Sequence, residues 1–68
     1  MTASPSTFRD RIVDEADQLA TKIDALRQFL RKDAFQNLSA ANQILLQEQE
    51  RVMTRYMEIL LVRLALTA

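Results

Sequence analysis

The polar chemistry open to this chain is that of guanidinium, ammonium and carboxylate groups. It carries nine basic and nine acidic side chains and has no histidine, cysteine or glycine. Without cysteine there is no disulfide, no thiolate nucleophile and no thiolate metal site. Without histidine the usual general base and the commonest metal ligand are missing. Phosphate-cradling loops of the P-loop or dinucleotide-fold type need glycine for their tight turns. The carboxylates include no isolated pair in apolar surroundings, so no general acid stands out. These residue types point to binding rather than catalysis. The expectation is a chain that is not an enzyme and uses neither metal nor cofactor.

The cations are matched by anions locally as well as globally. Residues 1–34 hold six of each sign and residues 35–68 hold three of each. A duplex nucleic-acid binder draws its affinity from an excess of cations that neutralise many phosphates. DNA and RNA duplexes are therefore not expected as partners, whereas a small ligand with two or three phosphates is compatible. Arg51 and Arg55 stand four residues apart among Glu48, Glu50 and Glu58, a spacing that suits surface ion pairs on a helix.

The elements that must position these groups are two long helices and a break. Ser4-Pro5-Ser6-Thr7 is a helix-start cluster. With Thr7 as N-cap, Asp10 falls at the third helical position, where a carboxylate favours the positive helix end. A start with Pro5 at the first helical position is the competing register. Ile12, Ala16, Leu19, Ile23, Leu26 and Leu30 then step by four, three, four, three and four, an apolar seam of heptad type. The first helix is expected over residues 7–32, after a tail at 1–6 that shows no signal peptide. Residues 33–39 form a connector, in which Phe35 and Leu38 fold back to plug the end of a hairpin. After Ser39, a second N-cap, the second helix is expected over 40–67. Its apolar residues fall on two lines, one of Leu46, Met53 and Leu60, the other of Leu45, Val52, Ile59 and Leu66, with Tyr56 between them and read as a buried core ring. The fold class is all-α, an antiparallel helical hairpin with a short helical connector, in one domain.

The second helix carries more apolar surface than a hairpin can cover. Between Tyr56 and Leu66 only Glu58 and Arg63 are charged. A helix apolar nearly all round is buried nearly all round, and a membrane span needs about 20 such residues. A chain of 68 residues buries only about 60% of its unfolded surface and is marginal alone. The expectation is a homo-oligomeric bundle with no membrane partner. Arg63 and Gln49, near the seam, read as polar groups that fix register or partner choice.

Two runs carry a family resemblance. Phe8-x-x-Arg11-Ile12-Val13-x-Glu15-x-x-x-Leu19-x-x-Lys22-Ile23-x-x-Leu26-x-x-Phe29-Leu30 resembles the first helix of a group of very small phage proteins. Leu45-Leu46-x-x-Gln49-x-x-x-Met53-x-x-Tyr56-x-x-Ile59-Leu60-x-x-Arg63-Leu64 resembles their last helix. Together they cover most of the chain from Phe8 to Leu66. The group is that of the anti-CBASS sponges, which sequester cyclic oligonucleotide signals of bacterial anti-phage immunity. The resemblance implies a helical hairpin assembled into a hexamer in the cytoplasm of the bacterial host. It implies cyclic dinucleotides at one inter-subunit pocket and, in some members, cyclic trinucleotides at another. The family's base-stacking aromatic, typically Tyr, falls on Phe8, which keeps the ring and loses the hydroxyl. Its phosphate-contacting lysine falls on Lys22. For a second pocket the candidates are Arg51 and Arg55, as cations on the second helix.

Spacing gives this assignment a geometric form. Phe8 and Lys22 are fourteen residues apart, close to four turns, so they share a face and lie about 21 Å apart along one helix. A cyclic dinucleotide is too small to touch both from one chain. Two antiparallel copies related by a two-fold near Glu15 bring Phe8 of one beside Lys22 of the other, and make two equivalent sites. Arg11, one turn from Phe8, offers a second cation to a phosphate. Plainer readings stay open: Phe8 as a helix-end residue covering the hairpin, Lys22 as a solvated side chain with its stem on apolar surface, and Arg51 and Arg55 as surface charges. A helical inhibitor or regulator of a host protein and a purely structural oligomerisation module are the alternative functions.

Overall fold

A computed structural model describes residues 7–67. Three helices follow in order, α1 (Phe8–Leu30), α2 (Asp33–Gln36) and α3 (Ala40–Leu66). Contacts of Phe8 with Arg63 at one end and Arg27 with Glu50 toward the other make α1 and α3 antiparallel.

Local signals set each helix boundary. Thr7 is extended, its hydroxyl accepts from the Asp10 amide at 3.0 Å, and its own amide donates to the Asp10 carboxylate at 3.4 Å. This reciprocal box satisfies two otherwise unpaired donors. The competing start at Pro5 lies outside the described residues, as does the 1–6 tail. α1 ends at Leu30, two residues short of the expected 32. The amides of Arg31 and Lys32 donate to the carbonyls of Gln28 and Phe29, tightening the last turn, and Lys32 then turns extended to start α2. Such three-residue bonds are the usual way a helix end closes.

α2 is a single turn whose Phe35 is buried and meets Phe29 edge-on, ring centroids 6.3 Å apart. Leu38 is half-buried beside it. The hairpin end is thus plugged as the sequence implies. The Ser39 hydroxyl accepts from the Asn42 amide, and the Gln43 side chain donates to the carbonyls of Gln36 and Leu38. No described residue has positive φ, which is why a chain without glycine can make this connection.

The core is one seam deep. Ile12, Ala16, Leu19 and Ile23 of α1 close on Leu60 of α3, with Met53, Met57 and Leu64 partly buried around them. Leu26 and Leu30 continue the seam but are only half-buried. Of the two apolar lines on α3, that of Leu46, Met53 and Leu60 faces α1. The line of Leu45, Val52, Ile59 and Leu66 stays exposed, Val52 at 55% and Leu66 at 81%. Tyr56 corrects the reading of a buried ring: it is 39% exposed, because it sits off the seam on the flank shared with that second line. No described helix is long and apolar enough to cross a membrane.

Candidate ligand-binding face

The two long sides of the hairpin differ in kind. On one side Arg27 of α1 reaches across to α3. Its Nε donates to Glu50 at 2.7 Å and its Nη2 to the Thr54 hydroxyl at 2.9 Å, while Thr54 donates to the same Glu50 oxygen at 3.0 Å. The hydrogen bond from Arg27, then that from Thr54, holds the Glu50 carboxyl below its ordinary range. Charge-assisted donors favour the ionised form. An open groove of about 310 Å³ lies on this side, lined by Ala20, Ile23, Asp24, Arg27, Thr54 and Met57. Its cation is already paired, and its carboxylate Asp24 accepts from Gln28 at 2.9 Å. Such a groove does not attract phosphate.

The other side carries Phe8. The Arg63 guanidinium lies over its ring, 5.5 Å from the centroid, yet Phe8 is 59% exposed. Phe8 thus stays largely exposed at the open end of the helix pair. α1 runs unbroken from Phe8 to Leu30, so Lys22 is displaced about 21 Å along the axis and about 40° around it from Phe8. Arg11 and Lys22 are both exposed and make no ion pair among the described residues. Glu15 lies midway between Phe8 and Lys22 on the same flank. The exposed apolar line of α3 flanks the same side, since Arg63, which touches Phe8, lies among Val52, Tyr56, Ile59 and Leu66 on the helical wheel. An aromatic face, two unpaired cations and an apolar stripe thus share one side of a single chain.

A single chain brings some of the candidate residues together and leaves others apart. Phe8 and Arg11 are one turn apart, whereas Lys22 is far from both. Arg51 and Arg55 are elsewhere, on exposed α3 surface. Arg51 makes a two-pronged pair with Glu48, which raises its already high pKa, and Arg55 pairs with Glu58 at 3.2 Å. Both are i,i+3 pairs within one helix, of the kind that contributes little to stability.

Two groupings escaped the reading of the sequence. The Arg27–Glu50–Thr54 clamp was hidden because its members are twenty-three and twenty-seven residues apart. Aligning the two seams antiparallel puts Arg27 and Glu50 on the same flank, which is the signal that would have found them. Arg63 was legible as a charge near an apolar seam, but not as the neighbour of Phe8.

This arrangement defines a small helical hairpin that gathers an aromatic ring, two cations and an exposed apolar stripe on one side. The chain belongs to the Sequestin family, whose model matches residues 6–66. No curated protein and no solved structure matches it.

Proposed function

We propose that this chain is a sponge, an oligomer that binds cyclic dinucleotides and holds them without chemical change. The observation that carries the reading is the side of the hairpin on which Phe8, with Arg11 and Lys22 free of ion pairs among the described residues, borders an exposed apolar stripe. Membership of a family named for sequestration agrees with it. A purine stacks on an aromatic ring through its π-face, so the missing hydroxyl at Phe8 costs only a hydrogen bond. Each phosphate of the ligand meets Arg11 and Lys22, which make no ion pair among the described residues. The two ends of the site are too far apart in one chain, and a two-fold through the Glu15 region closes that distance. The stripe of Leu45, Val52 and Ile59 supplies the apolar contact such a pairing needs. No general acid, nucleophile or metal cluster is part of the reading, so the bound ligand is released as it entered.

The remaining parts of the proposal rest on the same resemblance. Assembly into hexamers, a second pocket for cyclic trinucleotides drawing on Arg51 and Arg55, and action in the cytoplasm of a phage-infected host belong to it. For that second pocket, Arg51 and Arg55 would have to leave Glu48 and Glu58, which exposed surface pairs do at small cost.

A thermal-shift screen against 3′,3′-cyclic dinucleotides tests the sponge. A specific ligand at 100-fold over its dissociation constant adds about 2.7 kcal/mol of stability, a clear rise in Tm. Lys22→Ala should weaken that response while sedimentation shows the assembly unchanged. An equal response in the variant would remove Lys22 from the site.

A further inference from the structure

Arg63 stands in the last turn of α3, where the partial negative charge of the helix end favours a cation. It is exposed and makes no ion pair among the described residues. Its guanidinium instead lies over the ring of Phe8. Phe8 is the first residue of α1 and lies beyond the core that begins at Ile12. Phe8 is largely exposed and stands outside the buried cluster, so without Arg63 little packing restrains its ring to one rotamer. A base stacking on such a ring must first stop that motion, at an entropic cost.

We propose that Arg63 is a positioning residue for base recognition: it holds one face of Phe8 and so presents the other, already ordered, to a nucleobase. This rests on the sponge reading for its ligand and on the Phe8–Arg63 contact for its geometry. The guanidinium is planar and stacks on an aromatic face, which lysine's ammonium cannot do. Phe8 as a residue stays 59% exposed with Arg63 in place, so the contact leaves side-chain surface open. The base then completes a sandwich of guanidinium, ring and purine. In this arrangement Arg63 touches the ring and not the phosphate. The α3 terminus thereby acts on a site built on α1.

A double-mutant cycle with 3′,3′-cyclic GMP-AMP as probe, chosen because it offers both purines, tests this. Exposed cation–π contacts correspond to roughly two- to fivefold in an equilibrium constant. Arg63→Ala should weaken binding by about that factor, with Arg63→Lys between it and the wild type. In a Phe8→Leu background, Arg63→Ala should change nothing further. An equal loss in both backgrounds overturns the proposal, because it means that Arg63 contacts the ligand directly. Tighter binding by Arg63→Ala overturns it as well, because Arg63 would then be covering the stacking face. The same samples give an NMR readout without ligand. The Arg63 side-chain protons should be shifted upfield by the ring and return to ordinary positions in Phe8→Leu. No upfield shift in the wild type refutes the contact. Failure of the wild type to bind any cyclic dinucleotide, with that shift present, refutes the sponge reading and leaves the ordering of Phe8 by Arg63 standing.

Discussion

Leu60→Ala probes the packing on which every other feature depends. Leu60 is the one α3 side chain in the buried cluster, with 0% exposure, and it closes on Ile12, Ala16, Leu19 and Ile23. The substitution deletes three carbons. At about 0.8 kcal/mol for each buried carbon, the transfer cost is about 2.4 kcal/mol. The cavity left between two helices that cannot fully collapse brings the total to about 3 kcal/mol, inside the usual range for such changes. In a chain this small that corresponds to a fall in Tm on the order of 12 °C or more. Urea unfolding followed by circular dichroism should show a lower midpoint with an unchanged slope. Ile59→Ala is the contrast, one residue away but 43% exposed in the single chain. Its cost should be similar when the protein is concentrated, because Ile59 lies in the proposed contact between copies. On dilution below the dissociation point its cost should fall to about 1 kcal/mol, while that of Leu60→Ala should not. A Leu60→Ala cost below about 1 kcal/mol would mean that α3 does not meet α1 in this register.

Three further outcomes follow from named contacts. Glu50 has a depressed carboxyl pKa in the folded chain, so its contribution to stability is present above the ordinary glutamate value, about 4.3, and is lost as pH falls through the lower folded value. Glu50→Gln should therefore flatten the acid limb of a stability-against-pH curve; an identical limb would show that the Arg27 clamp does not form in solution. Ile59→Glu places a charge in the exposed apolar line and should reduce the sedimenting mass while helicity persists; an unchanged mass would put the contact between copies elsewhere. Thr7→Ala removes the side-chain acceptor of the α1 cap and should cost about 1 kcal/mol. Amide exchange should rise at Asp10, and no rise would show that the box is not closed.

The helices were legible because their signals are local. The Thr7 box, the Ser39 cap and each step from Ile12 to Ala16, Leu19 and Ile23 need only residues about one turn apart. The half-turn after Leu30 was harder, because no glycine or proline marks it and Arg31 and Lys32 are good helix formers. Tyr56 was misread because two apolar lines compete for one partner. Only the line centred on Leu60 fits against α1, and nothing within α3 says which line wins. The candidate site was legible in part: Phe8, Arg11 and Lys22 share a flank by simple periodicity. Arg63 on the Phe8 ring was not, since it depends on where two helices of different length end relative to each other. Arg51 and Arg55 illustrate the reverse case. Their partners Glu48 and Glu58 were in view, and the structure pairs them so.

Storage of a cyclic dinucleotide without reaction is open to a single titration. Purified protein is titrated by calorimetry with a panel of 3′,3′-cyclic dinucleotides, and the bound nucleotide is then recovered by heat denaturation and identified by mass. A sponge binds at least one member saturably and gives that ligand back with its ring intact. Absence of heat from every member of the panel, or recovery of a linearised product, would contradict it.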